Sequence, residues 1–277
     1  MKRSYFHILF SVIFICTACS HKMNKNQNQP QNIHDMIRKN EVIHFEDKHF
    51  EEVIDFTQFG SVATGNNEKT VFILSPLYFK NCTFKKDVKA FYREESTVVH
   101  FTRPVIFESC HFEGDLSFTR AIFDDKCSFK GSYFYNKADF EGCTFKSDFD
   151  VNRVLFHEEV KMQNMIVHQH MFLNDAHSKE NLLMQGLWVK GNFSCINSRT
   201  FGYVDLASCR IDGFFNGNYS QHSDRIVISN SFFHHRFEMT GSFGESLTIK
   251  ESRFLHPMAL ENIKYNKREI RDNVELR

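Results

Sequence analysis

A chain of 277 residues with 42% hydrophobic content can bury one sizeable core, which excludes the disordered class. Its 34 basic residues balance 34 acidic ones, so there is no basic field for nucleic acid, and that partner class is excluded. Aromatic usage is lopsided, with 32 Phe against 1 Trp and only 4 Pro, as when one kind of position is filled over and over by one residue type; the pattern points to repeats.

Residues 1–18, MKRSYFHILFSVIFICTA, read as a signal peptide: Lys2 and Arg3 open it, a largely apolar run follows from Tyr5 to Cys16, and small residues close it. The run is too short to span a bilayer comfortably. The sequence Cys16-Thr17-Ala18-Cys19 resembles the bacterial lipobox, although Cys16 stands where that motif usually carries Leu. The resemblance implies lipidation at Cys19 and a protein tethered to a membrane of the bacterial cell envelope, at the outer membrane or on the periplasmic side. An ordinary cleaved signal or an N-terminal anchor helix is the alternative. Residues 19–40, polar and rich in Asn and Gln, suit a flexible tether. Loss of residues 1–18 removes Lys2 and Arg3 and leaves 32 basic against 34 acidic residues. Between Val105 and Val160 there are 11 acidic and 6 basic residues, a mild excess that reads as a solvated face.

Residues 41–256 carry the repeat. From Phe101, alternating steps of six and five pass through Phe107, Phe112, Phe118, Phe123, Phe129, Phe134, Phe140, Phe145, Val151 and Phe156, and the same frame continues without insertion to Met239; 22 of its 26 positions are apolar, against about 11 expected from composition. The residues two places earlier, Val99, Val105, Cys110, Leu116 and onward to Phe237, are apolar at 22 of 26 positions and Ser at the other four, whereas the intervening positions are apolar at only 10. Residues i and i−2 of a strand share a face. Each unit is therefore a three-residue strand with two inward side chains and a short corner, able to pair only with its equivalent in a neighbouring coil: a β-solenoid with a 22-residue coil of four strands. The Phe residues at 107, 112, 118, 123, 129, 134, 140, 145 and 156 are expected to form a core ladder. Strands reached by a five-residue step carry small i−2 residues (Cys110, Ala121, Ser132, Cys143), and those reached by a six-residue step carry larger ones (Val105, Leu116, Phe149).

The segments FESCHFEGDLSF, FKGSYFYNKADF and DFEGCTF resemble the pentapeptide-repeat family in its Phe-rich form. The match is dense from Val99 to Phe254 and looser at FKNCTF (79–84) and FEDKHFEEVIDF (45–56). The resemblance implies an all-β, right-handed quadrilateral β-helix, and it implies no single activity.

Few residues carry chemistry. Cys82, Cys110, Cys127, Cys143 and Cys209 fall on i−2 positions and Cys195 on a frame position, none spaced C-x-x-C or 22 apart; all six read as compact core thiols rather than disulfides or zinc ligands. His168 with His170 and His234 with His235 have metal-ligand flavour as strand neighbours, but no carboxylate or thiolate is fixed beside them, and exposed histidines are the expectation. The acid pairs Asp124–Asp125 and Glu158–Glu159 fall at corners, which favour polar residues for solvation alone. There is no Ser/His/Asp arrangement, Gly-rich phosphate loop or H-E-x-x-H motif, so no catalytic residue, metal or cofactor is assigned. In Asp212–Asp224, Gly217 and His222 stand where the core wants bulk, which reads as a bulged coil, with an Asn-rich aromatic binding loop as the alternative.

In residues 257–277, Leu260, Ile263, Ile270 and Val274 have helical spacing with Lys and Arg between them. An amphipathic C-terminal α-helix is expected to cover the open end of the solenoid or to make a homodimer contact. Together these readings give a membrane-tethered, non-enzymatic structural or protein-interaction module with an unknown protein partner. The alternative is a surface protein that binds or cleaves glycans. A DNA-mimicking topoisomerase inhibitor would need a strongly acidic face and a cytoplasmic location, and the sequence offers neither.

Overall fold

The computed structural model describes residues 33–59, 61–65, 68–92 and 96–275; the signal peptide, Cys19 and most of the tether lie outside them. One compact unit spans Asn32–Arg277, and it is a parallel β-solenoid. Most of its strands are two residues long, too short to stand alone, and each pairs in register with the strand one coil before and one coil after. Four ladders result. The first contains Val105–Glu108, Cys127–Ser128 and Phe149–Asp150; the second His111–Phe112, Tyr133–Phe134 and Leu155–Phe156. The third contains Leu116–Ser117, Ala138–Asp139 and Val160–Lys161; the fourth Ile122–Phe123, Thr144–Phe145 and Ile166–Val167. Each partner lies 22 residues on, as the six-five frame requires. All the i−2 positions from Val99 to Phe237 are buried, and so is every frame position except Cys195.

The alternation of steps has a backbone cause. Residues 109, 120, 131, 142, 153, 164, 175, 186, 197, 208, 219, 230 and 241 all take φ between 51° and 71°, one for each five-residue step. Ala121, Ser132 and Cys143 donate their N–H groups to the carbonyls of Phe118, Phe129 and Phe140 at 2.9, 3.0 and 3.1 Å. A four-residue turn with a left-handed third residue is the type II arrangement, and it turns the chain one residue sooner than the longer corner. The longer corners are held by side chains of the preceding coil. His170 N–H donates to Asp148 Oδ1, Asn192 N–H to His170 Nδ1 and Phe214 N–H to Asn192 Oδ1, all at 3.0 Å. Corner amides that face no strand are thereby satisfied.

Both ends depart from the sequence reading. The tether expected over 19–40 stops short, because Ile33–Arg38 is a helix whose Ile33 and Ile37 are buried in the core cluster. Asn40, at φ 55°, closes it, with Glu41 N–H bonded to Met36 O at 3.0 Å, a left-handed C-terminal cap. The first two coils are longer than 22 residues. Ile43 pairs with Leu77, and Leu77 with Val105, because the antiparallel pair Ser61–Gly65 and Glu68–Ile73 and the short pairing of Phe91–Tyr92 with Thr97–Val98 are inserted. The loosely matching segments are nonetheless in register: Phe45 and Phe79 lie in the first ladder, Phe50 and Phe84 in the second.

At the other end the expected C-terminal helix over 257–277 does not form, and neither does a dimer contact through it. Lys264–Arg271 is a strand paired with Phe243–Lys250, and Val274–Glu275 pairs with Arg253–Phe254. The helical spacing is the frame read with a 21-residue coil: Ile270 follows Ile249, and Tyr265 follows Gly244. Pairing onto an existing strand satisfies the backbone along one whole edge, whereas a short amphipathic helix there would leave that strand's edge open.

The interior answers the Phe content. Within a ladder, rings stack nearly parallel: Phe79–Phe107 at 4.9 Å, Phe107–Phe129 at 5.1 Å, Phe84–Phe112 at 4.9 Å, Phe112–Phe134 at 4.8 Å and Phe123–Phe145 at 4.8 Å between centroids. These separations match the strand spacing of about 4.8 Å. Across ladders the rings meet edge to face, as in Phe107–Phe112 at 5.3 Å and Phe129–Phe140 at 5.5 Å, so that ring faces and edges both find favourable partners. Phe134, stacked between Phe112 and Phe156, is the test position. Phe134→Ala is expected to lower the unfolding free energy by about 3–5 kcal/mol, measured by denaturant titration. Lys161→Ala, on an outward position, should lie within about 0.5 kcal/mol of wild type. Equal losses in both variants would contradict the inward assignment.

Candidate functional site

The interior changes character after Phe156. Down the second ladder the stacked Phe column gives way to Ser178, Thr200 and His222, all buried. In the first ladder the large residue moves from the frame position to i−2. Val105 and Phe107 or Cys127 and Phe129 become Phe193 and Cys195, then Phe215 and Gly217. Gly217 is thus no bulge. A Cβ there would sit 3.2 Å from Phe215 Cε1 and 3.5 Å from Cys195 Sγ, so the Phe215 ring occupies the space that a side chain at 217 would need. The register holds through His222 and slips only between His222 and Arg225. Phe215 stacks on Phe237 at 4.7 Å, which restores the ladder one position earlier.

This exchange leaves a cavity of about 30 Å³ lined by Cys195, Ser198, Thr200, Gly217, Ser220 and His222 among others, and the surface that Cys195 retains faces it. Room for a single water is what such a volume offers. Beside it lies a buried polar group. His222 Nε2 is 3.1 Å from Ser220 Oγ, and the Ser220 and Ser242 hydroxyls both donate to Gly217 O at 2.7 Å. Gly244 admits the ring of Tyr265, which lies 6.3 Å from the His222 ring and nearly parallel to it; a side chain at 244 would collide with the His222 carbonyl oxygen. His222 Nδ1 and the Tyr265 hydroxyl have no hydrogen-bond partner among the described residues. Burial pulls His222 down to about 4 and pushes Cys195 up to about 12. The imidazole is therefore neutral and the thiol protonated near pH 7, and the thiol is not activated for nucleophilic attack.

The six cysteines are free, and five of them are buried. The small i−2 seat explains why Ser and Cys alternate there. Ser132 Oγ accepts from Cys110 N–H at 3.0 Å and donates to Phe107 O at 3.1 Å. In the equivalent seat Cys143 Sγ donates to Phe118 O at 2.8 Å and Cys209 Sγ to Met184 O at 3.1 Å. Burial pushes Cys127 and Cys143 well up and Cys209 up to about 12. One expectation needs correction. The 28-residue step from Phe84 to Phe112 makes Cys82 and Cys110 neighbours in the second ladder, although they are not 22 apart. The Cys110 thiol hydrogen-bonds Cys82 and draws it down to about 7, while Cys110 itself moves up. The length of the inserted coil hid this contact.

The remaining candidates are used by the ladders. His168 and His170 sit at a corner rather than on a strand; His170 Nδ1 accepts a corner N–H, and His168 Nδ1 lies 3.3 Å from Lys190 Nζ. His234, His235 and His256 form a surface stack with centroids 5.4 and 5.9 Å apart. No group of three potential metal ligands occurs among the described residues. Asp124 is ion-paired with His100 at 2.8 Å and Lys146 at 2.7 Å, and Glu159 accepts from Asn181 at 3.3 Å. Ring faces on the outer walls are also engaged: His111 stacks on Tyr133 at 4.7 Å, and Trp188 lies between Lys190 and Arg210 at 4.8 and 5.1 Å. No family model, curated protein or solved structure matches the chain.

Two outcomes follow from this interior. His222 has a folded pKa near 4 against 6.5 unfolded, so the unfolded chain binds the extra proton first as pH falls. The stability tied to neutral His222 is fully present above pH 6.5 and is lost between pH 6.5 and 4, to the extent of about 3 kcal/mol. Melting temperatures from pH 7 to pH 4 should fall more steeply in wild type than in His222→Gln; parallel profiles would remove His222 as the cause. Among the thiols, Cys143→Ser keeps a donor to Phe118 O and should cost under about 1 kcal/mol, whereas Cys127→Ser, with no hydrogen-bond partner among the described residues, should cost about 2 kcal/mol. Chemical denaturation decides the order.

Proposed function

We propose that the protein is a lipid-tethered, non-enzymatic module of the bacterial envelope, a right-handed quadrilateral coil of the pentapeptide-repeat kind that presents its walls to other proteins. One observation carries this reading: four parallel ladders run in register along the solenoid, so its outer faces are rows of side chains about 4.8 Å apart on a rigid core. The four ladders fit a four-sided coil. The carboxylates that a glycan-cleaving enzyme would need are spent on cross-coil pairs at Asp124 and Glu159. The rings that a sugar would stack on have their faces against each other or against cations. No helix among the described residues is long and apolar enough to cross a membrane, and in this reading the attachment is a lipid at Cys19.

The anchor is tested by feeding cells an alkyne fatty acid: wild type should be labelled and Cys19→Ser should not, and equal labelling would refute lipidation. A photo-crosslinker at Phe201, which is 56% exposed on an outer corner, should trap a protein in intact cells. Adducts with glycan and none with protein would move the function to glycan binding.

A further inference from the structure

Strands of two residues are poor templates for another chain, and short edges are one way in which sheet proteins avoid unwanted pairing. The C-terminal end of this solenoid is built differently. After the slip between His222 and Arg225 the coil shortens from 22 to 21 residues, and the second and third ladders fuse across their corner. Gln221–Ser229, Phe243–Lys250 and Lys264–Arg271 are continuous strands of 9, 8 and 8 residues. Lys264–Arg271 pairs with Phe243–Lys250 on one side, and no strand among the described residues pairs with its other side. The core column also ends uncovered there. Ile228 and Ile249 are 0% exposed, whereas Ile270, next in the same column, is 41% exposed.

We propose that this end is a β-augmentation site that takes an extended acidic peptide segment of a partner protein as the next strand, laid along Lys264–Arg271. The charge on the edge selects the occupant. The strand carries Lys264, Lys267, Arg268 and Arg271 against Glu269. Arg271 is held by Glu269 and Asp272, and Lys267 by Glu245; Lys264 and Arg268 make no ion pair among the described residues. Arg268 continues the inward column of Ile226 and Leu247, so a cation stands at the mouth of the core beside the uncovered Ile270. A second copy of this edge would set cations opposite cations, which is unfavourable in cross-strand pairs. A segment alternating acidic and apolar residues would meet Lys264 and Arg268 with its acids and cover Ile270 with an apolar side chain, while its backbone supplies the missing hydrogen bonds.

The proposal rests on the reading of the solenoid as a protein-interaction module and names the chemistry of the partner. It is tested with the full chain and two capped octapeptides, alternating Val-Glu and alternating Val-Lys, by hydrogen exchange and fluorescence anisotropy. The Val-Glu peptide should slow exchange in residues 264–271 by about tenfold or more, and Arg268→Glu should weaken its binding by about tenfold without changing the melting temperature. Val-Lys should do neither. The proposal is overturned by the absence of protection at millimolar Val-Glu, by equal protection from Val-Lys, or by protection of these amides that rises with protein concentration alone, which would mean self-pairing. If the peptide fails while the crosslinker at Phe201 still traps a protein, the edge proposal falls and the interaction reading stands; if both fail, both fall.

Discussion

Everything in this solenoid depends on the match between two repeat distances, the spacing of hydrogen-bonded strands and the thickness of a phenyl ring with its van der Waals gap. A strand of two residues has too few backbone bonds to hold itself in place. It persists because the coil above and the coil below offer the same edge at the same height and because the side chain it turns inward fills one layer of the core. Phe107 over Phe79 and under Phe129, at 4.9 and 5.1 Å, is that condition met by one residue type.

The ladder tolerates exchange of volume within a wall but not loss of it. Where the frame position shrinks to Cys195 and then Gly217, Phe193 and Phe215 grow two residues earlier, and the ring of Phe215 swings over the glycine. Exchange at constant volume keeps the walls in register; the mismatch that remains is a cavity of about 30 Å³ beside a neutral, buried His222. The corners follow similar economy. A left-handed residue in each short corner and a side-chain acceptor from the coil below in the longer ones satisfy amides that the ladders cannot reach. The histidines and carboxylates with catalytic or metal-binding flavour in the sequence, such as His170 and Asp124, are largely spent on this task.

The two ends meet different constraints. The Ile33–Arg38 helix and the antiparallel pairs cover the start of the core. At the far end the chain continues the coil to Glu275 and leaves a long, basic edge. A solenoid has no curvature with which to close on itself, so each end must be covered, charged or used for binding.

The register of the core was legible in the chain itself. Inward residues recur at steps of six and five because a strand alternates its faces and each corner consumes a set number of residues, so the burial of Phe107 or Cys143 follows from counting. The left-handed corners were also written there, in Gly131, Gly142, Asn164 and Gly186 at 11-residue intervals, a signal overlooked because the other members, Arg120 and Arg153 among them, do not favour that conformation. Only the tertiary structure decided where counting stops. The insertions before Thr97 are paid out in antiparallel pairs whose length no periodicity announces, and they bring Cys82 against Cys110. The segment after Phe254 has apolar residues spaced for a helix, yet it forms a strand, because secondary structure in a short segment is settled by the hydrogen-bonding edge beside it rather than by its own weak preference.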